Sequence, residues 1–594
     1  MQLSSVRKLL FPIVLPVLAL YIFLGGVLIP NPVAADPSPN HSPANNPLQP
    51  TEAITLTLLG TYTNITATFG EGASEIVSYD PVSQTLYVVN GFAAAIDILD
   101  ISDPTLPTLL GQIDVTPYGA NVNSVAVQNG VVAAAVEADP LQNPGKLVFF
   151  DRAGNYLNDL TIGALPDMIT FSPDGQTVLV ANEGEPNSDY DNDPEGSVTL
   201  VDISGGVGSA TITNIGFTDF NVGGPRHGEL PTAVRIYGPN ATVAQDIEPE
   251  YIAVSPDSST AYVTLQENNA LAIIDIDTAY ITAIVALGFK NHELGGAGLD
   301  ASDRDNIINI ANWPVYGMYQ PDSIAAYEQG GNLYLVTSNE GDTRDYDAYG
   351  EESRVSGLDL DPGVFTDAAT LQLPENLGRL TVTTANGDTD GDDDFDALYV
   401  PGARSFSIWS ATGQLVYDSG DALEQITATV YPDDFNSNND ENNSFDNRSD
   451  NKGPEPEALA LGRIYDRVYA FVGLERMGGI MVFDVTDPMA PEFVQYVNNR
   501  DFAGDPEAGT AGDLGPEGLY YIQGNVSPNG APILAVANEI SGSTTLYGVQ
   551  VPAPTDVNLT AFTGMQVLDG MMVLAAGVGL LGLLGLWRIL RPRR

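Results

Sequence analysis

The chain of 594 residues contains no cysteine and only three histidines, His41, His227 and His292. Without cysteine no disulfide can hold the fold, so the protein has to bury a large packed core. Zinc and copper sites use His and Cys, and a Ser-His-Asp triad needs a suitably placed histidine. The sequence therefore disfavours both kinds of site. It also lacks a Gly-rich phosphate loop of the Walker type.

Basic residues are scarce, with 22 Lys and Arg against 77 Asp and Glu and a formal net charge of −55. A surface of this charge repels the phosphate backbone, which excludes nucleic acid as a partner. Clustered carboxylates also repel one another unless cations neutralise them. The acidic excess therefore predicts bound cations, and Ca²⁺ is the expected one.

The first 53 residues are typical of an exported protein. Residues 1–35 carry Arg7 and Lys8, then a long apolar stretch and small residues before Asp36, which predicts a signal peptide. An uncleaved membrane anchor is the alternative. Residues 36–53 are rich in Pro, Asn and Ser and predict a flexible spacer.

The C-terminal end contains a second apolar segment. Residues 570–590 are long and apolar enough to predict a transmembrane helix, after a spacer at 552–569. The basic tail 591–594 is expected to stay in the cytoplasm. These segments predict a protein at the cell surface whose partner is the membrane; removal of the tail by a membrane protease is the alternative.

Residues 54–551 consist of short apolar, alternating runs separated by turn residues such as Ser-Pro-Asp-Gly at 172–175. The runs recur at a period of roughly 40–50 residues, which predicts an all-β fold, a β-propeller. We count seven blades, and the unpaired run at 54–62 is expected to close the ring at the outer edge of the last blade. Eight blades is the alternative, if residues 405–420 form a blade of their own.

Acidic residues recur at two places in this repeat. One set precedes the first run of each unit, with a single amide in it: Glu75, Asn123, Asp167, Glu250, Asp322, Glu457 and Glu517. The other set follows the second run: Glu137, Glu183, Glu267, Glu340, Glu475 and Glu539. In a propeller these positions share one face, so both sets are expected to surround one mouth of the central channel.

The long insertions are expected on the same face, where loops commonly carry binding sites. They cover residues 217–249, 290–320, 339–403 and 421–454.

Candidate metal ligands fall into two groups of carboxylates. The first is expected at the mouth and comprises Glu183, Glu340, Asp342, Asp345, Glu457, Glu475 and Glu539. The second is a loop with acids at every second position around a glycine, comprising Asp388, Asp390, Asp392, Asp394 and Asp396. Such spacing can surround one Ca²⁺ ion with oxygen, although the final Glu of an EF-hand is missing. An acidic loop without a ligand is the alternative.

Three basic residues accompany the acids: Arg344, Arg404 and Lys452. Together with a bound metal they could hold the oxygens of a phosphate ester, which would make them catalytic residues of a metal-dependent phosphoesterase. The alternative is that they form ion pairs that brace neighbouring blades.

Several segments are similar to one family. They are Asn-Glu-Gly-Asp at 339–342, Arg-Ser-Phe-Ser-Ile-Trp at 404–409, Lys-Gly-Pro-Glu-Pro-Glu at 452–457, Leu-Glu-Arg at 474–476 and Leu-Gln-Glu-Asn-Asn at 265–269. The chain resembles the choice-of-anchor I family, bacterial surface proteins with a propeller of the YVTN or WD40-like kind that are related to mesenchyme-specific cell surface glycoproteins. Some members are labelled alkaline phosphatase, but the resemblance implies no settled activity. A calcium-dependent propeller phytase is the nearest analogy for hydrolysis.

Two functions are therefore expected. The first is a calcium-binding propeller at the cell surface that binds a ligand or a protein partner through its acidic face. The alternative is a calcium-dependent phosphoester hydrolase that acts on a phosphorylated small molecule at the same face.

Overall fold

The structure is a computed structural model that describes residues 54–551. Within them lie seven four-stranded antiparallel sheets and three smaller ones. The N-terminal strand is β1 (Thr55–Thr63). Blade one contains β2 (Val77–Asp80), β3 (Thr85–Asn90), β4 (Ala95–Asp100) and β5 (Thr108–Asp114), and blade two contains β6 (Val122–Gln128), β7 (Val131–Val136), β8 (Pro144–Asp151) and β9 (Tyr156–Ala164). Blade three contains β10 (Pro166–Phe171), β11 (Thr177–Asn182), β12 (Ser197–Asp202) and β13 (Thr211–Gly216). Blade four contains β14 (Pro249–Val254), β15 (Thr260–Leu265), β16 (Ala270–Asp275) and β17 (Tyr280–Ala286).

The second half of the chain adds three blades and most of the inserted structure. Strands β18 (Phe289–Asn291) and β19 (Tyr316–Met318) precede blade five, which contains β20 (Ile324–Gln329), β21 (Asn332–Asn339), β27 (Ser405–Ser410) and β28 (Leu415–Asp418). The insertion of blade five contains β22 (Asp345–Tyr346), β23 (Tyr349–Gly350), β24 (Glu352–Arg354), β25 (Thr381–Thr383) and β26 (Tyr399–Val400). Blade six contains β29 (Pro456–Ile464), β30 (Arg467–Leu474), β31 (Ile480–Asp484) and β32 (Glu492–Val497), and blade seven contains β33 (Pro516–Ile522), β34 (Ile533–Asn538) and β35 (Ser543–Gln550). The helices are short: α1 (Val243–Asp246), α2 (Ala368–Leu371), α3 (Ala422–Val430) and 3₁₀ turns at Gly91–Ala93, Val207–Ser209, Thr218–Phe220, His227–Glu229 and Val355–Gly357.

The blades close into a ring. The innermost strands contact one another in the order β2, β6, β10, β14, β20, β29, β33 and back to β2. Strand β1 pairs antiparallel with β35 and completes blade seven as its outermost strand. The prediction of a seven-bladed propeller closed by an N-terminal strand is thus confirmed. The closure gives blade seven its fourth strand and joins the N-terminal end of the domain to its last blade.

Blade five contains an interruption of its chain. The order of its strands is β20-β21-β27-β28, so residues 405–418 form its outer half and not an eighth blade. Asn339 pairs with Ser405 at the point where the insertion leaves and returns. The insertion shares a hydrophobic core with the connection before blade five, which contains Leu299, Val315, Leu380 and Val400. It is therefore a packed lobe rather than an open loop.

The central strands of each blade are buried on both faces because neighbouring blades pack against them. Every residue of β3, for example, is buried, as is every residue of β34. This explains why these runs are almost continuously apolar in the sequence. The turns between them use residues suited to positive φ, as at Gly175, whose φ is +70°.

The predicted membrane anchor requires a correction. No helix within residues 54–551 is long and apolar enough to cross a membrane. The predicted helix at 570–590 lies outside the described residues, as do the predicted signal peptide, both spacers and the basic tail. The described residues therefore give no support to the membrane as a partner, and that prediction is withdrawn.

Candidate metal centre at the channel mouth

The acidic residues at the start of the innermost strands lie beside those at the end of the second strands. In blade three Pro166 pairs with Asn182, which brings Asp167 next to Glu183. Blades four, six and seven repeat this register through Pro249, Pro456 and Pro516. In all four blades the register shifts directly after the proline, and such bulges re-aim side chains. The two acidic sets thus meet at one edge of each of these four blades.

The carboxylates also approach one another across the ring. Burial raises the pKa of Glu517 well above its ordinary value, and Asp167 and Asp322 from blades three and five raise it further. The pKa of Glu250 is raised well above its ordinary value by burial and then by Asp322. Negative charges from several blades therefore share one poorly solvated space, where each opposes the ionisation of the others.

Three of these side chains form the tightest group. Asp322, Glu340 and Glu457 each offer an oxygen, and the three oxygens lie within 4.8 Å of one another. Burial raises the pKa of Glu457 and of Asp322 well above their ordinary values. Glu457 Oε2 is buried and has no hydrogen-bond partner among residues 54–551. A hard cation would satisfy this oxygen and remove the repulsion.

A second group, Glu340, Glu455 and Glu475, shares Glu340 with the first. Here the charges are already compensated. Glu455 forms ion pairs with Arg448, Lys452 and Arg476, which hold the pKa of its carboxyl far below its usual range despite burial. This group is therefore a salt-bridge network, whereas the first group has an excess of negative charge.

Lys452 lies between the two groups. Its Nζ donates to Glu340 Oε1 at 2.6 Å and to the carbonyl of Gly341 at 2.7 Å. The other oxygen of Glu340 accepts from Gln266 Nε2 at 3.3 Å. Glu340 is thus held in place from both sides, which orients its carboxylate towards Asp322 and Glu457.

The predicted catalytic residues Arg344 and Arg404 lie in the interior. Arg344 pairs with Asp246 at 2.5 Å and Glu248 at 2.9 Å and stacks on Tyr237, with its guanidinium carbon 4.4 Å from the ring centre. Arg404 pairs with Glu424 at 2.7 Å. The side chains of Arg344 and Arg404 are only 1% and 2% exposed, as little as those of the hydrophobic core.

Arg404 also donates to the carbonyls of Asp300, Ser449 and Asn451. These contacts join separate loops. The contacts of Arg344 and Arg404 therefore agree with the alternative drawn from the sequence, in which the basic residues form structural ion pairs.

The other predicted ligands are dispersed. Glu183 lies near Asp167, and its pKa is raised well above the ordinary value by burial and that neighbour. Burial raises the pKa of Asp342 to about 7, against the effect of Lys452. Burial also raises the pKa of Glu539. Asp345 is exposed in β22 and does not belong to any of the carboxylate groups within 54–551.

The acidic loop forms its own exposed group. Oxygens of Asp388, Asp390 and Asp392 lie within 4.8 Å of one another. Asp396 does not join them, because its Oδ2 accepts from the backbone and hydroxyl of Thr389. Asp394 lies against Asp392, and burial followed by this neighbour raises its pKa to about 6. The loop therefore offers three converging oxygens, with all three residues exposed.

Two residues of the site were not among the predicted ligands. Asp322 belongs to the recurring acidic set, and its position just before β20 was the signal for it. Glu455 stands two residues before Glu457 across a proline, so the sequence Glu-Pro-Glu indicated a pair of acids but not their different partners.

Comparison with solved structures includes two distant alignments. A hydrazine synthase chain of Kuenenia stuttgartiensis aligns with a TM-score of 0.42 and 12% identity over 84% of this chain and 99% of that one. The Cps50 (Swd1) β-propeller domain of Myceliophteria thermophila aligns with a TM-score of 0.40 and 10% identity, over 84% of this chain and 100% of that one. The blade count rests on the sheets described above.

Comparison with curated proteins finds two animal relatives. Gigasin-3a of Magallana gigas is 34% identical over 192 residues, 30% of this chain and 67% of that protein. The mesenchyme-specific cell surface glycoprotein of Strongylocentrotus purpuratus is 28% identical over 287 residues, 42% of this chain but only 36% of the glycoprotein.

The sequence pattern of the choice-of-anchor I domain matches residues 75–488, from the start of blade one to the end of β31 and the turn after it. The resemblance drawn from the motifs is confirmed, and the chain belongs to the choice-of-anchor I domain family.

Proposed function

We propose that this protein is a cell-surface β-propeller that binds Ca²⁺ through Asp322, Glu340 and Glu457 and holds a ligand or protein partner on the same loop-rich face. The observation that carries the proposal is the group of three oxygens within 4.8 Å of one another. One of the three side chains, Glu457, has a buried oxygen with no hydrogen-bond partner in the described range 54–551. Ca²⁺ favours carboxylate oxygens at about 2.3–2.6 Å and tolerates irregular geometry. Water can complete its coordination from the channel.

The cell surface is proposed from the relatives and from the acidic surface. One relative is named a cell surface glycoprotein. The chain spans about a third of that protein, 36%, so the placement is an inference from the shared domain. The long insertions that leave the acidic edge supply the surface on which a ligand would lie, because binding residues are concentrated on loops held by a rigid scaffold.

The phosphoesterase alternative gains no support from the contacts. Arg344 and Arg404 are engaged in buried ion pairs, and Lys452 pairs with Glu340 and Glu455. A residue that binds phosphate needs donors free to face the substrate. The binding function is therefore the one we advance.

The test is a calcium titration of the purified protein by isothermal calorimetry, with Glu457→Gln as the variant. An amide fits this position because blade two carries Asn123 there. We expect the variant to weaken Ca²⁺ binding at one site by at least about tenfold, since a carboxylate ligand is lost.

The matched control is Glu75→Gln, the same change at the same position of blade one. Glu75 belongs to none of the carboxylate groups within the described residues, so no metal ligand is lost, and the change in that affinity should be clearly smaller than for Glu457→Gln. Equal effects of both variants, or no calcium binding by the wild type, would contradict the proposal.

A further inference from the structure

A cleft of about 400 Å³ lies where three separate insertions meet. Asp303 and Arg304 come from the connection between blades four and five, Arg354 and Arg379 from the insertion of blade five, and Asp450 from the connection between blades five and six. Arg448 also lines it. Four of the 22 basic residues of a chain with net charge −55 therefore line one cleft. This concentration contrasts with the acidic surface around it.

The charges in the cleft alternate along a line that begins and ends with a cation. Arg304 pairs with Asp303 at 3.1 Å, and Arg379 pairs with Asp303 and Asp450, each at 2.9 Å. Arg354 pairs with Asp450 at 3.0 Å. Three guanidinium groups thus share two carboxylates, and the Glu441 carboxylate, which also lines the cleft, balances the third positive charge. Arg448 lies beside this line and pairs with Glu455, which also pairs with Lys452 and Arg476.

Guanidinium donors remain available at both ends of the line. Arg304 makes no side-chain hydrogen bond within residues 54–551 beyond its ion pair with Asp303, and its side chain is 59% exposed. In the same range Arg354 uses only Nη1, which donates to the carbonyls of Arg379 and Asp450 and to Thr381 Oγ1. Its Nη2 and Nε are free of protein partners in the part of the chain that is described. Fixed guanidinium groups with unused donors match the oxygens of a tetrahedral anion.

We infer that this cleft is an anion-binding site that takes a phosphate or sulfate group of a ligand. Asp303 and Asp450 position the guanidinium groups in advance, so that little side-chain freedom is lost on binding. The anion would lie against Arg304 and Arg354 and accept hydrogen bonds from their unused donors. The site is separate from the proposed calcium centre and does not depend on it.

The probes are inorganic phosphate and sulfate, titrated into the purified protein by calorimetry at constant ionic strength with a chelator present. Acetate at the same concentration serves as a carboxylate probe. We expect saturable binding of the tetrahedral anions and no saturation with acetate. Because the chelator removes Ca²⁺, failure of the calcium proposal would leave this result unchanged.

The variant is Arg304→Gln, which removes an exposed guanidinium while Asp303 keeps its pair with Arg379. We expect about a tenfold loss of anion affinity, the effect of one charge-assisted hydrogen bond. The matched control is Arg467→Gln, because Arg467 forms a similar surface pair with Asp484 and is 50% exposed. The anion affinity of the Arg467→Gln variant should equal that of the wild type. Absence of saturable binding, or equal losses in both variants, would overturn the inference.

Two further ligands identify the source of the anion. Glucose 6-phosphate and glucose 6-sulfate differ only in the charged group, and glucose is the neutral reference. Tighter binding of one ester than of the free anions would assign the site to phosphorylated or to sulfated ligands. If neither ester competes with the inorganic anion, the cleft does not accept a substituted group, and the inference of a ligand site is overturned.

Discussion

Lys452 Nζ donates a hydrogen bond of 2.6 Å to Glu340 Oε1 and so joins the connection before blade six to the end of β21 in blade five. The same ammonium group pairs with Glu455 at 3.2 Å. The Lys452 ammonium group therefore lies between the group of Glu340, Glu455 and Glu475, whose charges are compensated, and the group of Asp322, Glu340 and Glu457, which has an excess of negative charge. This arrangement makes Lys452 important both for the stability of the mouth and for the charge that a metal ion would experience.

Lys452→Met should destabilise the protein by about 3 kcal/mol. Breaking a buried pair by removing one partner leaves its carboxylates without compensation, and the Lys452 side chain is only 13% exposed. The measurement is the midpoint of urea denaturation. Arg467→Met, which breaks an exposed pair, is the control and should cost less than about 1 kcal/mol. Similar shifts for both variants would show that the Lys452 pair is no stronger than a surface pair.

Arg344→Met should loosen the insertion of blade five. Arg344 joins the insertion to Asp246 and Glu248 before blade four, and loss of the cation leaves both acids unpaired in the interior. The expected cost is about 3 kcal/mol. Limited proteolysis is the measurement, with cleavage expected inside residues 341–403 before the blades are cut.

Tyr237→Phe is the milder variant of the same brace. It removes only the hydrogen bond of 2.7 Å from the tyrosine hydroxyl to Glu351 Oε1, an effect of about 1 kcal/mol. The expected order of cleavage rates is Arg344→Met, then Tyr237→Phe, then wild type. If Arg344→Met is cleaved no faster than the wild type, the arginine does not brace the insertion.

The fold was predictable from the sequence because its signals are local. Alternating runs and Pro, Gly and Asp turns define each strand, and the recurring acids mark where β20 or β29 begins. The roles of the basic residues were not predictable, since they depend on partners far away in the chain. Arg344 meets Asp246 across 98 residues, and Lys452 meets Glu340 across 112. A sequence shows that acidic and basic residues are present but not which of them form ion pairs. The buried, paired arginines therefore could not be distinguished from residues that bind an anion.

Gly60→Ala should weaken the closure of the ring. Gly60 lies in β1, and a Cβ there would come within 2.7 Å of the carbonyl oxygen of Thr105 in blade one. Backbone atoms cannot move aside as a side chain would, so overpacking should cost about 1–3 kcal/mol. Thermal denaturation provides the measurement. Gly111→Ala in β5 is the control, because nothing lies within 4 Å of the place that its Cβ would occupy; a loss of stability there as large as at Gly60 would contradict the steric explanation.

Stability of the metal-free protein should fall as the pH rises from about 4.5 to about 8. Burial and neighbouring carboxylates raise the pKa of Glu75 to about 8 and that of Asp167 to about 7. In this window the folded protein keeps protons that the unfolded chain has already released, so increasing pH favours unfolding. Well below about 4 both states are protonated, and well above about 8 both have lost these protons, so these two groups give no slope in either range.

The measurement is the thermal midpoint between pH 4.5 and 8.5 in the presence of a chelator. Glu75→Gln removes one of the titrating groups and should therefore reduce the slope across the window. Ca²⁺ should restore stability mainly at the upper end, because there the cation replaces protons that neutralise the carboxylates at lower pH. A midpoint that rises with pH through this window would mean that the acids at the mouth are ionised and compensated within the folded protein, and that no cation is needed to hold them together.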